Sequence, residues 1–184
     1  MSIAAWKRRI TGRFFTFRKN ESGATALEFG LIAVPFFAFL FAIIETGIAF
    51  LNGQYLDRAV EKASRQIFTG QLSQSNLTPT AKMNKFKSDV CDLLGSFMDC
   101  GRLYYDVQAY PTFGAPIQPV PMSGGGLDTT ALPRFNPGAS GEIVVARVYY
   151  LQPIYADILG AGLANNRGTD RLLIGTAVFR NEPF

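Results

Sequence analysis

Histidine is absent from this 184-residue chain, and no Gly-x-Ser-x-Gly turn occurs in it. The imidazole base and the nucleophile elbow on which many hydrolytic sites depend are therefore missing, and no enzymatic activity is expected. Cysteine is nearly absent too. The only two, Cys91 and Cys100, are not spaced as Cys-x-x-Cys, and two thiols without histidine do not complete a tetrahedral zinc shell, so no metal and no cofactor is expected. Asp89, Asp92 and Asp99 could form a carboxylate cluster on paper, but solvation on a helix surface accounts for them. Gly124-Gly125-Gly126 lacks the following Gly-Lys-Ser/Thr that would grip phosphates and ligate Mg²⁺, which leaves it a surface loop.

Excess charge is scarce once the chain is divided. Of the net +4, Lys7, Arg8, Arg9, Arg13, Arg18 and Lys19 against Glu21 contribute +5 before residue 24, so the remainder sums to −1. A folded part with that balance offers no surface for tracking a phosphate backbone, and nucleic acid is not an expected partner.

Charge is missing altogether from Phe29 to Ile44, and beyond Glu45 the chain is apolar again to Leu51. At 1.5 Å per residue the 23-residue stretch from Phe29 to Leu51 reaches about 34 Å, enough for a hydrocarbon core of about 30 Å. Basic residues are denser before this run than after it, where Asp57 and Glu61 offset Arg58, Lys62 and Arg65, so the N-terminus is expected to be cytoplasmic and everything after Leu51 exported. The run is longer than the apolar region of a secretory signal and ends in Ala49-Phe50-Leu51-Asn52 rather than a small-x-small site. The expected organisation is a basic leader at 1–23, a transmembrane helix at 24–51 and an exported domain at 52–184, anchored in the inner membrane of a bacterium.

A polar break, Asn20-Glu21-Ser22-Gly23, separates the basic arm from the apolar run, and Glu28 follows Gly23 by five residues. An ionised carboxylate at or below the membrane surface is costly unless it is paired, protonated or held in the interface. Cleavage after Gly23 would give Ala24 an α-amino cation that Glu28 of a neighbouring subunit could neutralise; alternatively Glu28 lies at the cytoplasmic interface. Pro35 removes one backbone donor within the span, either to let the helix adapt in a bundle or as a tolerated proline. Glu45 either reaches the outer interface or pairs with a partner protein. Gly30 and Gly47 form no close Gly-x-x-x-Gly pair.

Gly23 with Glu28-Phe29, then Pro35 and Glu45-x-Gly47, and the closing Phe179-Arg180-Asn181-Glu182-Pro183-Phe184 together resemble TadE-type proteins, pilin-like components of the Tad (Flp) pilus machinery. The resemblance implies a prepilin peptidase cutting between Gly23 and Ala24, with Glu28 as the fifth residue of the mature protein. It also implies partners among other pilin-like subunits and Tad inner-membrane assembly proteins, and a role in adhesion, surface colonisation and biofilm. Phe29 stands where major Flp pilins carry Tyr, and those pilins lack a large domain, so the resemblance is to a minor pseudopilin. The competing reading is an uncleaved, membrane-tethered binding module whose long loop recognises an envelope component.

In the exported part, Leu51, Tyr55, Ala59, Val60, Ala63 and Ile67 recur at helical spacing up to Gly70. Met83, Phe86, Val90, Leu93, Leu94 and Phe97 give a second amphipathic helix starting at Thr78-Pro79. Cys91 and Cys100 read as a disulfide in an oxidising envelope, with two free buried thiols as the alternative; the resemblance to TadE-type domains adds to the former. Leu103–Tyr110, Glu142–Leu151 and Arg171–Phe179 read as strands, 111–141 as a long loop, and Ile154–Leu163 as a short helix closed by an Asn165-Asn166-Arg167-Gly168 turn. The expected fold is α+β and pilin-like: the transmembrane helix extended into a domain with a second helix and a small antiparallel sheet.

Overall fold

The computed structural model describes residues 23–155, 164–167 and 170–184. The basic leader up to residue 22, all but the first two residues of the expected 154–163 helix, and Gly168 of the turn after it lie outside these. The chain divides into two compact units, residues 1–42 and 43–184. In the first, the described residues are helical from Ala24 and display Leu27, Phe29, Leu31, Ile32, Val34, Phe36 and Phe39 on the outside. A helix apolar all round and exposed all round has no aqueous rationale.

The helix, α1, runs Ala24–Phe68. In the second unit its buried stripe is Leu56, Ala59, Val60, Ala63 and Ile67, a 3/4 spacing that packs on a sheet. Leu51 and Tyr55, expected on this face, are exposed instead, because the stripe is set one position on, at Asn52 and Leu56. The second helix, α2, spans Pro79–Leu94; the Thr78 hydroxyl accepts from the Ala81 N–H at 3.2 Å, and proline stands in the first turn, where its missing donor costs nothing. Phe86, Val90 and Leu94 face the core. Phe97 does not continue that stripe: Gly95 ends α2 at φ 60°, Gly95–Phe97 forms a 3-10 turn, and the Phe97 ring is exposed.

Six strands follow, β1 Leu103–Tyr110, β2 Met122–Ser123, β3 Gly126–Leu127, β4 Arg134–Phe135, β5 Ile143–Pro153 and β6 Asp170–Arg180. The main sheet has the order β4-β1-β5-β6. β1 pairs antiparallel with β5 from Leu103↔Tyr150 to Tyr110↔Ile143, and β5 with β6 from Ile143↔Arg180 to Pro153↔Asp170. Leu103, Tyr105 and Val107 of β1 and Val144, Ala146, Val148 and Tyr150 of β5 turn one face onto α1 and α2. Burial pushes the Tyr105 phenol up to about 12, and its ring meets Phe86 edge-on at 6.2 Å.

The 111–141 segment is more regular than its composition indicates. β4 joins β1 as a short parallel edge, and β2 and β3 form a hairpin whose turn is Gly124-Gly125, both at positive φ (57° and 75°). Two positive-φ residues are what a tight right-twisted hairpin requires, so the glycine run is turn chemistry. Asn166 holds the hairpin by accepting the Leu127 N–H at 2.7 Å.

Gly175 of β6 explains how closely α1 lies on the sheet. A Cβ there would stand 2.9 Å from Leu56 Cγ, 3.0 Å from Val60 Cγ2 and 3.1 Å from the Leu56 carbonyl oxygen. Gly175→Ala is expected to force α1 off the sheet at a cost of about 1–3 kcal/mol. Thermal denaturation of the full chain in detergent checks this; an unchanged midpoint would mean the interface gives without cost.

Candidate functional site

Two groups of residues carry the chemistry: the apolar helix with its polar ends, and a charged cluster on the far face of the sheet. At the start of α1, Gly23, Ala24, Glu28 and Phe29 are all exposed, and the helix begins at Ala24. Pro35 is accommodated within continuous helix, which leaves the Leu31 carbonyl without the donor an α-helix would give it. Gly30 and Gly47 have nothing within 4 Å of where a Cβ would be, so the chain itself uses neither for close packing.

Glu45 is drawn into the domain's own structure. Its Oε1 accepts the Tyr155 N–H at 2.5 Å, and about two helical turns further Asn52 donates to Gln152 Oε1 at 2.6 Å, so the end of β5 and the residues after it run along α1. The bond to Tyr155 gives this carboxylate a reason to stand in an otherwise apolar stretch.

Cys91 of α2 is bonded to Cys100, which opens the 3-10 turn Cys100–Arg102 leading into β1. The bridge closes a short loop around Gly95–Phe97. The three aspartates that could have clustered are separately engaged: Asp89 accepts from Gln66 at 2.7 Å and pairs with Lys85, Asp92 accepts weakly from Ser88, and Asp99 caps the Gly101 N–H at 2.9 Å. Among the described residues, no three of Asp, Glu, Cys and His converge as metal ligands would.

The charged cluster centres on Asp106, which is fully buried. Its carboxylate accepts from Arg134 Nε at 3.0 Å and Nη2 at 2.6 Å, from Gln108 Nε2 at 2.6 Å and from the Tyr149 hydroxyl at 3.2 Å, and Arg147 Nη2 lies 3.7 Å away. Burial, foremost, pushes the Tyr149 phenol up to about 12. Tyr149 thus remains a proton donor to Asp106 far above neutrality. The unfolded phenol would ionise first, so this contribution fades as pH rises from about 10 toward 12. Arg147 donates to the Gln118 carbonyl at 2.7 Å and Arg134 to the Gln118 side chain at 2.7 Å, which ties the 111–121 segment over this face. The cluster is a latch holding the long loop and β4 to the sheet.

Alternation along β1 puts Asp106 on the face opposite Leu103, Tyr105 and Val107, and the structure buries it there. The available signal was a pair: Asp106 between aromatic and aliphatic residues of one strand, Arg147 in the middle of a valine-rich second strand, brought directly opposite each other by the register.

A cleft of about 430 Å³ lies between α1 and β6, lined by Asp57, Glu61, Ser64, Arg65 and Phe68 against Thr176–Phe179. Charges of both signs line it, and the geometry selects no single ligand chemistry.

These features define a class, an α+β domain carried by an N-terminal helix that is long and apolar enough to cross a membrane. Residues 23–65 match the family model described as TadE-like protein, the family that the residues around Gly23, Glu28 and Glu45 resemble. The match links the chain to the Tad pilus system in general terms. No curated protein and no solved structure matches the chain.

Proposed function

We propose that the chain is a minor pseudopilin, processed by a prepilin peptidase between Gly23 and Ala24 and used in assembling a Tad-type pilus. The observation that carries this reading is that the family match begins at Gly23 itself and runs through the apolar helix, which starts at Ala24. In this reading the N-terminus is cytoplasmic, the helix crosses the inner membrane and the α+β domain is periplasmic. The chain acts by packing and not by turnover: cleavage frees the Ala24 amine, apolar helices gather laterally, and the domain primes, caps or regulates filament growth. Glu28 meets the Ala24 cation of a neighbouring subunit, because a carboxylate among apolar helices needs an opposite charge.

Gly23→Leu is expected to abolish processing. A Cβ at residue 23 meets nothing within 4 Å, so the variant does not disturb the fold. Intact mass of the membrane-extracted protein, with and without an active peptidase, should show wild type starting at Ala24 and the variant at full length. Wild type that stays full length in the presence of active peptidase would overturn the assignment in favour of an uncleaved tethered module.

A further inference from the structure

Within the second unit, Ile44, Ile48, Leu51 and Tyr55 follow one another at spacings of four, three and four, a single stripe of α1, and all four are exposed. Charges resume immediately beyond it, at Asp57, Arg58, Glu61 and Lys62, all exposed. At the end of the stripe the Tyr55 ring stacks on Phe97 with centroids 6.1 Å apart and planes 2° from parallel. Phe97 is 78 % exposed and sits on the turn that the Cys91–Cys100 bridge closes. Tyr155, 82 % exposed, is tied by its N–H bond to Glu45, beside Ile44 at the other end of the stripe.

Scattered exposed apolar residues are ordinary on a protein surface. Here they are contiguous, they lead into an aromatic pair whose Phe97 sits on a disulfide-closed turn, and they stop where charge begins. The amphipathic rings of Tyr and Trp collect at membrane–water interfaces, and helical side chains lean toward the N-terminus, so the Tyr55 ring covers the surface near Leu51. Resting on the reading of α1 as the membrane anchor, we infer that Tyr55 and Phe97 form an aromatic foot that seats the exported domain in the outer membrane–water interface. Phe97 supplies the apolar edge and Tyr55 the connection to α1. Asp92 and Asp99 flank the turn in sequence, so the attachment works by ring insertion and does not require anionic lipid.

The test uses the full chain with its one native tryptophan removed (Trp6→Phe) and a single reporter introduced as Phe97→Trp, a conservative change at an exposed ring. A second protein carries the reporter within the apolar run instead, as Phe37→Trp. Both are placed in phosphatidylcholine vesicles whose acyl chains bear bromines either near the headgroup or near the chain terminus. The expected result is a Phe97→Trp emission shifted to the blue of water-exposed tryptophan and quenched more strongly by the shallow bromines than by the deep ones, with Phe37→Trp showing the opposite order. Quenching at residue 37 but none at residue 97 would leave the anchor intact and overturn the aromatic foot. Loss of quenching at both would overturn the anchor reading and the foot with it. A blue shift at residue 97 that depends on protein concentration and not on bromines would assign the surface to a second copy of the chain and equally overturn the lipid contact.

Discussion

Asp106→Ala is expected to lower the unfolding free energy by about 3–5 kcal/mol, the scale on which a buried charge left without its partner is penalised. Arg134 and Arg147 both depend on this carboxylate, and neither has another acid within pairing distance among the described residues. Arg147 is the more exposed to the loss in energetic terms: it is itself buried, its Nε already lacks a hydrogen-bond partner, and its remaining contact is the Gln118 carbonyl. Removing the whole set, as Asp106→Leu with Arg134→Met and Arg147→Met, should cost much less than the single change, because no charge of this cluster then remains in the interior. Urea denaturation of the full chain in detergent micelles measures both. Hydrogen exchange adds a local readout, since β4 and the 111–121 segment should lose protection before the antiparallel strands do. A single-variant effect below about 1 kcal/mol would mean that water reaches the two guanidiniums and that the latch is not closed in solution.

The second large effect is expected at the disulfide. Joining Cys91 to Cys100 closes a loop of sequence separation 9, for which chain entropy alone gives a stabilisation of about 2–3 kcal/mol at 25 °C. Replacing both cysteines by serine should therefore lower stability by about that amount, and reduction of the wild-type protein should reproduce most of it. The bridge also fixes where α2 ends relative to β1, so its loss should loosen the Gly95–Phe97 turn and the Tyr55–Phe97 stack with it. Equal denaturation midpoints for oxidised wild type and the double serine variant would show that the short loop is already ordered in the unfolded chain and that the bridge constrains nothing further.

Helix and strand positions were legible because they are written in local periodicity. Thr78-Pro79 announces a helix start through a side-chain acceptor and a residue that needs no donor, and α2 starts there. Alternation in 103–110 and the β-branched run at 143–151 set the strands within two residues of where they lie. The end of α2 was less legible, since Phe97 has the right spacing to continue the stripe but Gly95 breaks the helix before it. The same holds for Leu51 and Tyr55: their spacing fits a buried face, yet which of two adjacent stripes of α1 meets the sheet depends on the partner surface, and Gly175 admits Leu56 and Val60 there.

By itself the sequence determined the apolar stretch and its flanking charges, the glycine and carboxylate at the head of the helix, the two cysteines and the order of helices and strands. Each of these is a property of one residue or one short window, fixed by hydropathy, dihedral preference or spacing. Tertiary structure alone decided that Asp106 is interior, that β4 adds to β1 in parallel, that Glu45 is occupied by the Tyr155 N–H, and that Tyr55 finds Phe97. Those outcomes join residues from 28 to 110 positions apart through strand register and helix rotation, and neither is encoded in any local window: a shift of one residue in β1 against β5 would have sent Asp106 to the other face.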